Sequence, residues 1–267
     1  MFTNADLQLA GGRITYRRDE ASRVIAAYAF AEEPLKLTRG THPTLTQRIY
    51  PYVTFDHAPV EGAQPSVADI NAAATEGSGL SRSAQRGLAG VIAHLNHRLS
   101  FAPTAHDFAT WSPTVLIDPL QSADNMVDEL ARAIAELARV AGVRHAGASY
   151  VMHRAFPKHV PIVDRHTARA YGKQRFACWV PIWDDLIANH EAFTRLEEWF
   201  NNMPWRASNP PLYRLRMLDI LLRFPEMHLP AADAFDERHP PPRRPSPPES
   251  ADRAFALEHA MDASRHC

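Results

Sequence analysis

The chain has 267 residues, 45% of them hydrophobic, enough apolar material for one large core or two small ones. Its formal net charge of −1 predicts no general pull toward polyanions or membranes. Two cysteines, Cys178 and Cys267, exclude a disulfide framework and any four-cysteine zinc or iron–sulfur site within this chain.

Met1 to Gly12 has no basic leader and no apolar run, and no window holds about 18 uncharged apolar residues. The expectation is a soluble cytoplasmic protein in a reducing compartment. Residues 1–16 read as an irregular start with a strand at Arg13–Tyr16. Asp19 to Phe30 places Val24, Ile25, Tyr28 and Ala29 on one helix face. Residues 34–65 carry Pro34, Pro43, Pro51, Pro59 and Pro65, an extended loop region with Tyr50, Tyr52 and Phe55 for burial. Ser66 then caps a helix that ends at Gly77–Gly79. Ser81 opens the next, with Leu88, Val91, Ile92 and Leu95 aligned. Residues 101–121 form a mixed connector around Trp111.

Asp124 to Arg139 is the clearest helix, with Val127, Leu130, Ile134 and Leu137 at three- and four-residue steps. Asp124 in its first turn and Arg139 in its last suit the helix dipole. Gly142 stops it. A second helix follows, small-residue-rich through Ala146, Gly147, Ala148 and Ser149, and ends before Pro157. Pro161-Ile162-Val163 leads to Asp164, which heads a helix ending at Gly172. Beyond it lie an aromatic segment (Phe176, Trp179, Trp183), a helix near Glu191–Phe200, and a last helix after Pro210-Pro211 with Leu215, Leu218 and Leu222 in register. From Asp236 the proline-rich composition predicts a disordered or polyproline tail, with a short helix near Arg253–Met261.

Asp164 is the candidate catalytic carboxylate, or simply the N-cap of its helix. His153, eleven residues earlier, would orient it through a hydrogen bond or tie helix to loop. From Arg139 to Arg175 there are eight lysines and arginines against Asp164 alone, a local net charge of +7. That is the footprint of a phosphate-binding face, unless acidic residues elsewhere pair with it. His145, His153, His159 and His166 match no metal-ligand spacing, so no metal and no cofactor are expected. Trp111, Tyr52, Trp179 and Trp183 read as base-stacking surfaces or as core. Cys178 has no neighbour that would make it a nucleophile.

The segment resembles the helix-hairpin-helix DNA glycosylases typified by endonuclease III, over about residues 124–172. Gly142-Val143 matches the hairpin, and Val163-Asp164-Arg165-His166 matches the turn that carries the catalytic aspartate, 22 residues after Gly142. Ser149, His153, Pro157, Pro161 and Asp164 also resemble a pattern in a group of uncharacterised bacterial proteins. Three departures stand out. The Schiff-base lysine position is Ala146, which removes lyase chemistry there. The second hairpin glycine is Arg144, and the iron–sulfur loop is absent.

The resemblance implies a mainly α fold, a helical bundle with a helix-hairpin-helix core, and a cleft between two helical lobes. The expected organisation is a packing segment at 1–65, a glycosylase-like domain at 66–230 and the tail at 231–267. The activity it implies is monofunctional N-glycoside hydrolysis. There Asp164, assisted by His153, would stabilise an oxocarbenium-like state. Gly142, Arg144, His145, Arg154, Lys158, Arg165 and Arg169 would contact nucleic acid, by expectation double-stranded DNA. Two alternatives stay open: a DNA-binding protein without the chemistry, and a regulatory module recruiting a protein partner through the proline-rich tail.

Overall fold

A computed structural model of the chain describes residues 6–30, 35–38, 46–49, 55–56, 64–75, 78–99, 107–203, 211–223 and 227–228. The described residues all belong to one compact unit, Met1–Phe235. The expectations for Tyr50, Tyr52 and the proline-rich tail fall outside the described residues.

The described residues are mainly helical, with ten α-helices. A hairpin of β1 (Leu7–Leu9) and β2 (Ile14–Tyr16) comes first, followed by α1 (Arg18–Phe30). β3 (Leu35–Thr38) pairs antiparallel with both β4 (Thr46–Ile49) and β5 (Met227–His228), short strands where an extended loop was expected. Then come α2 (Val67–Thr75), α3 (Arg82–Leu95), α4 (Pro113–Ile117), α5 (Asn125–Leu137), α6 (Arg144–Ala155), α7 (Arg165–Tyr171), α8 (Trp179–Ala188), α9 (His190–Asn201) and α10 (Arg214–Arg223).

Side-chain caps set several helix starts. Ser66 and Asp69 exchange bonds at the head of α2, with Ser66 N donating to Asp69 Oδ2 at 2.9 Å. Ser81 Oγ accepts from Ala84 N at 3.2 Å on α3. Asp124 Oδ1 accepts from Met126 N and Val127 N on α5. α5 ends at Leu137, so Arg139 lies in the following turn rather than in the helix. α8 occupies the aromatic segment and tolerates Pro181 because the first turn needs no donor there.

The core joins two centres. α6 packs on α2 and α5, while α10 packs on α1, α7 and α9. α6 approaches the segment that leads into α3 closely because Gly147 carries no Cβ; one built there would meet Leu80 Cδ2 at 2.8 Å. Leu130, Ile134 and Leu137 of α5, Val151 and Met152 of α6, and Leu218 and Leu221 of α10 are all buried. The β1–β2 hairpin is clamped by α8: Ala10 N donates to Asp185 Oδ2 at 2.7 Å, and Asn189 bonds both the N–H and the carbonyl of Gln8. No helix among the described residues is long and apolar enough to cross a membrane.

Candidate functional site

The turn between α5 and α6 brings the basic segment to the surface. Gly142 (φ +82°) occupies the left-handed region that glycine adopts without cost. Arg144 (φ +56°) also lies there, where a side chain costs about 1 kcal/mol or more. Both residues are exposed. His145 meets the edge of Phe176, ring centres 4.8 Å apart, which sets the head of α6 beside the 175–178 turn. Burial, and then the nearby Arg175, lower the His145 pKa to about 4. Arg175 has a positive φ of +53° and is exposed, as are Arg139 and Lys173. The hairpin turn and the Arg175 turn thus present one cationic rim.

Asp164 heads α7. Its Oδ1 caps α7, accepting from His166 N at 2.8 Å and Thr167 N at 3.1 Å. The turn that precedes it is fixed by Thr167 Oγ1 donating to Ile162 O and by Val163 N donating to Ser149 Oγ. Oδ2 accepts from Tyr150 OH at 3.2 Å and faces Arg223 Nη2 at 3.3 Å. The side chain is 11% exposed. Burial alone would raise its pKa. The Arg223 guanidinium, His166 and the two capping amides outweigh burial and hold the carboxyl below the ordinary range. It is therefore ionised, but both oxygens are occupied.

The expected His153–Asp164 contact does not form. His153 is 2% exposed, and its Nδ1 donates to Val160 O at 2.6 Å, so it ties helix to loop. Burial and the Arg216 charge push its pKa down to about 3, which leaves it neutral. Arg154 is 5% exposed and paired with the buried Asp69 at 3.4 Å, which removes it from any surface contact. Arg165 and Arg169 are exposed on α7. Lys158 is exposed too, with its ammonium over the Tyr213 ring at 4.8 Å. Trp111 and Trp179 are buried, Trp183 is half-buried, and burial raises the Cys178 thiol to about 11.

Behind Asp164 runs a buried ionic network that no motif announced. Arg223 Nε donates to Asp219 Oδ1 at 3.0 Å, and its Nη2 also reaches Tyr150 OH. Asp219 Oδ2 accepts from Arg216 Nη1 at 2.5 Å, and Arg216 Nε donates to Asp56 Oδ1 at 2.9 Å. Tyr28 OH donates to Asp56 Oδ2 at 2.6 Å and also touches Arg216. Arg216 and Arg154 lie 4.5 Å and 5.6 Å from the centre of the Phe55 ring, which stacks on His153. Burial raises the Asp219 carboxyl despite its two arginines. Among the described residues no cluster of three histidine, cysteine or acidic groups could hold a metal.

The sequence profile of DUF6308, a family of unknown function, matches residues 24–224. No curated protein and no solved structure matches the chain.

Proposed function

Because the chain belongs to DUF6308, whose function is unknown, we propose one from the site itself: the protein binds duplex nucleic acid without cutting it. The observation that carries this reading is the cationic rim. Arg144 and Arg175 are each exposed and each on a positive-φ turn, and the His145–Phe176 contact sets these two turns side by side; Arg139 and Lys173 are exposed in the flanking residues. The Gly142-centred turn between α5 and α6 suits a helix-hairpin-helix, a unit that meets the phosphate backbone. Arg144 would supply charge where that motif's second glycine would admit backbone amides. Trp111 and Trp179 are buried, which leaves neither as a stacking platform for single strands.

Asp164 supports a positioning role, because its lone pairs serve the α7 cap, Tyr150 and Arg223. A second reading, monofunctional N-glycosidic hydrolysis at Asp164, draws on one observation: the carboxylate is held ionised, as such chemistry needs. It requires Arg223 and Tyr150 to release Oδ2.

Binding of a 20-base-pair duplex, titrated with salt, tests the first reading. Four phosphate contacts give a slope of log K against log salt of about −3.6. Arg144→Glu with Arg175→Glu lowers affinity by about ten-fold or more and flattens that slope. Salt-independent binding, or none, overturns it. Single-turnover base release from duplexes carrying modified bases separates the two readings. Release that Asp164→Asn abolishes establishes the second.

A further inference from the structure

Among the described residues, three non-glycine residues sit on positive-φ backbone: Ala10, Arg144 and Arg175. Two of the three are arginines, and the His145–Phe176 contact sets their turns side by side. Left-handed backbone costs an L-residue about 1 kcal/mol or more. Neither guanidinium offsets that cost through a contact of its own. Arg144 and Arg175 are exposed, and among the described residues neither makes an ion pair or a hydrogen bond. The same holds for Arg139 and Lys173. In the interior, by contrast, Arg154, Arg216 and Arg223 each meet a carboxylate.

The surroundings of Arg144 define what it can reach. The exposed residues just before it are small, Ala141 and Gly142, and the adjacent turn exposes Gly172, Gln174 and Ala177 besides its cations. Neither 138–146 nor 172–177 contains a carboxylate. A long cationic side chain thus stands on a low turn, with nothing bulky or acidic next to it along the chain. α6 itself cannot lie in a major groove, because Gly147 to Ala155 are all buried. The minor groove of B-form DNA, about 6 Å wide, is too narrow for a helix but admits a single extended side chain. Its negative potential is strongest where A·T tracts narrow it, and a weakly hydrated guanidinium is drawn in there. At G·C pairs the guanine amino group occupies the floor of that groove.

We propose that Arg144 enters the minor groove of A·T-rich B-form DNA, while Arg139, Lys173 and Arg175 meet phosphates that flank it. This names the substrate of the cationic rim and rests on the reading that the rim meets a duplex. Double-stranded RNA, whose minor groove is wide and shallow, is the poorer ligand.

The full chain would be titrated, at one salt concentration, with DNA duplexes of about 20 base pairs that differ only in a central tract of A·T, G·C or inosine·C pairs. Inosine lacks only the guanine amino group, so it changes the minor groove and leaves the major-groove edge as it was. The A·T duplex should bind about five-fold or more tightly than the G·C duplex, and the inosine duplex about as tightly as A·T. Arg144→Lys keeps the charge and the same backbone demand but sheds water less readily, so it should bind all three alike. Arg175→Lys should keep the preference. Both side chains are exposed, so both variants keep the fold. Equal wild-type affinity for the three duplexes, with the salt slope intact, overturns this inference and leaves duplex binding standing. A preference that inosine does not transfer, or that Arg144→Lys retains, overturns it as well. Absence of binding to every duplex removes both this inference and the reading beneath it.

Discussion

At Arg144 the backbone and the side chain ask for different residues. The left-handed φ of +56° favours glycine, while the cationic rim favours arginine. Arg144→Gly should therefore stabilise the fold by about 0.5–1 kcal/mol in denaturant unfolding while weakening duplex binding. A variant that loses stability as well would show that the turn is not strained. Arg223 presents the opposite balance. It faces Asp164 and Asp219 in the interior, so Arg223→Met leaves Asp164 without a guanidinium and Asp219 with Arg216 alone, and should cost about 3 kcal/mol. Asp164→Asn keeps an oxygen for the α7 cap and should cost less. Equal stability of Arg223→Met and wild type would remove the network from the account of folding. Some of this was legible beforehand. Gly142 reads as a turn residue and Asp164 as a helix head from local pattern alone, and both lie where that pattern puts them. The partner of His153 was not legible, because Val160 O is a backbone group that no side-chain motif records.

Among the elements, α5 and α10 show what helical periodicity can and cannot tell. α5 carries a clean apolar stripe behind an aspartate cap, and its start was readable to within a residue. α10 spaces Arg216, Asp219 and Arg223 three and four residues apart, a pattern that ordinarily marks a solvated ion-pair face. Here all three are buried, because Asp56 and Asp164 close on them from other elements; Asp56 lies 160 residues before Arg216. Sequence spacing along one helix carries no trace of such partners. α8 was missed for a related reason: its aromatics suit either a strand or a buried helix until neighbours decide. The packing of α6 against Leu80 permits a direct test. Gly147→Ala should cost about 1 kcal/mol by overpacking Leu80, and the same change in a Leu80→Ala background should cost nothing or stabilise. Equal costs in both backgrounds would mean that Leu80 does not limit the packing at Gly147.

For the molecule as a whole, buried charge sets the response to acid. His153 and His145 have folded pKa values near 3 and 4, below the ordinary 6.5, so the unfolded chain binds their protons first. Their contribution is present above about pH 6.5 and lost as pH falls toward those folded values, at about 1.4 kcal/mol per pH unit for each histidine. Asp164, also depressed, adds to the loss below the ordinary carboxylate range. Asp219, which is raised, partly offsets it by taking up a proton while folded. Tm should be nearly flat from pH 8 to 7 and fall steeply from pH 6 to 4.5. His153→Gln, which keeps a donor for Val160 O, should shed about half of the slope between pH 6 and 5.

The same network has a consequence for how the chain is made. Translation delivers Tyr28, Asp56, Tyr150 and Asp164 long before Arg216 and Arg223, the two guanidinium groups that α10 supplies to them. Until α10 leaves the ribosome, the nascent chain holds acidic groups that have no reason to leave water, and the layer around Phe55 stays open. Synthesis is vectorial, but closure of this domain waits for nearly its final turn. Stalled chains ending before Arg214 should remain protease-sensitive and engaged by chaperones, while chains that extend far enough past Arg223 for α10 to clear the exit tunnel become resistant.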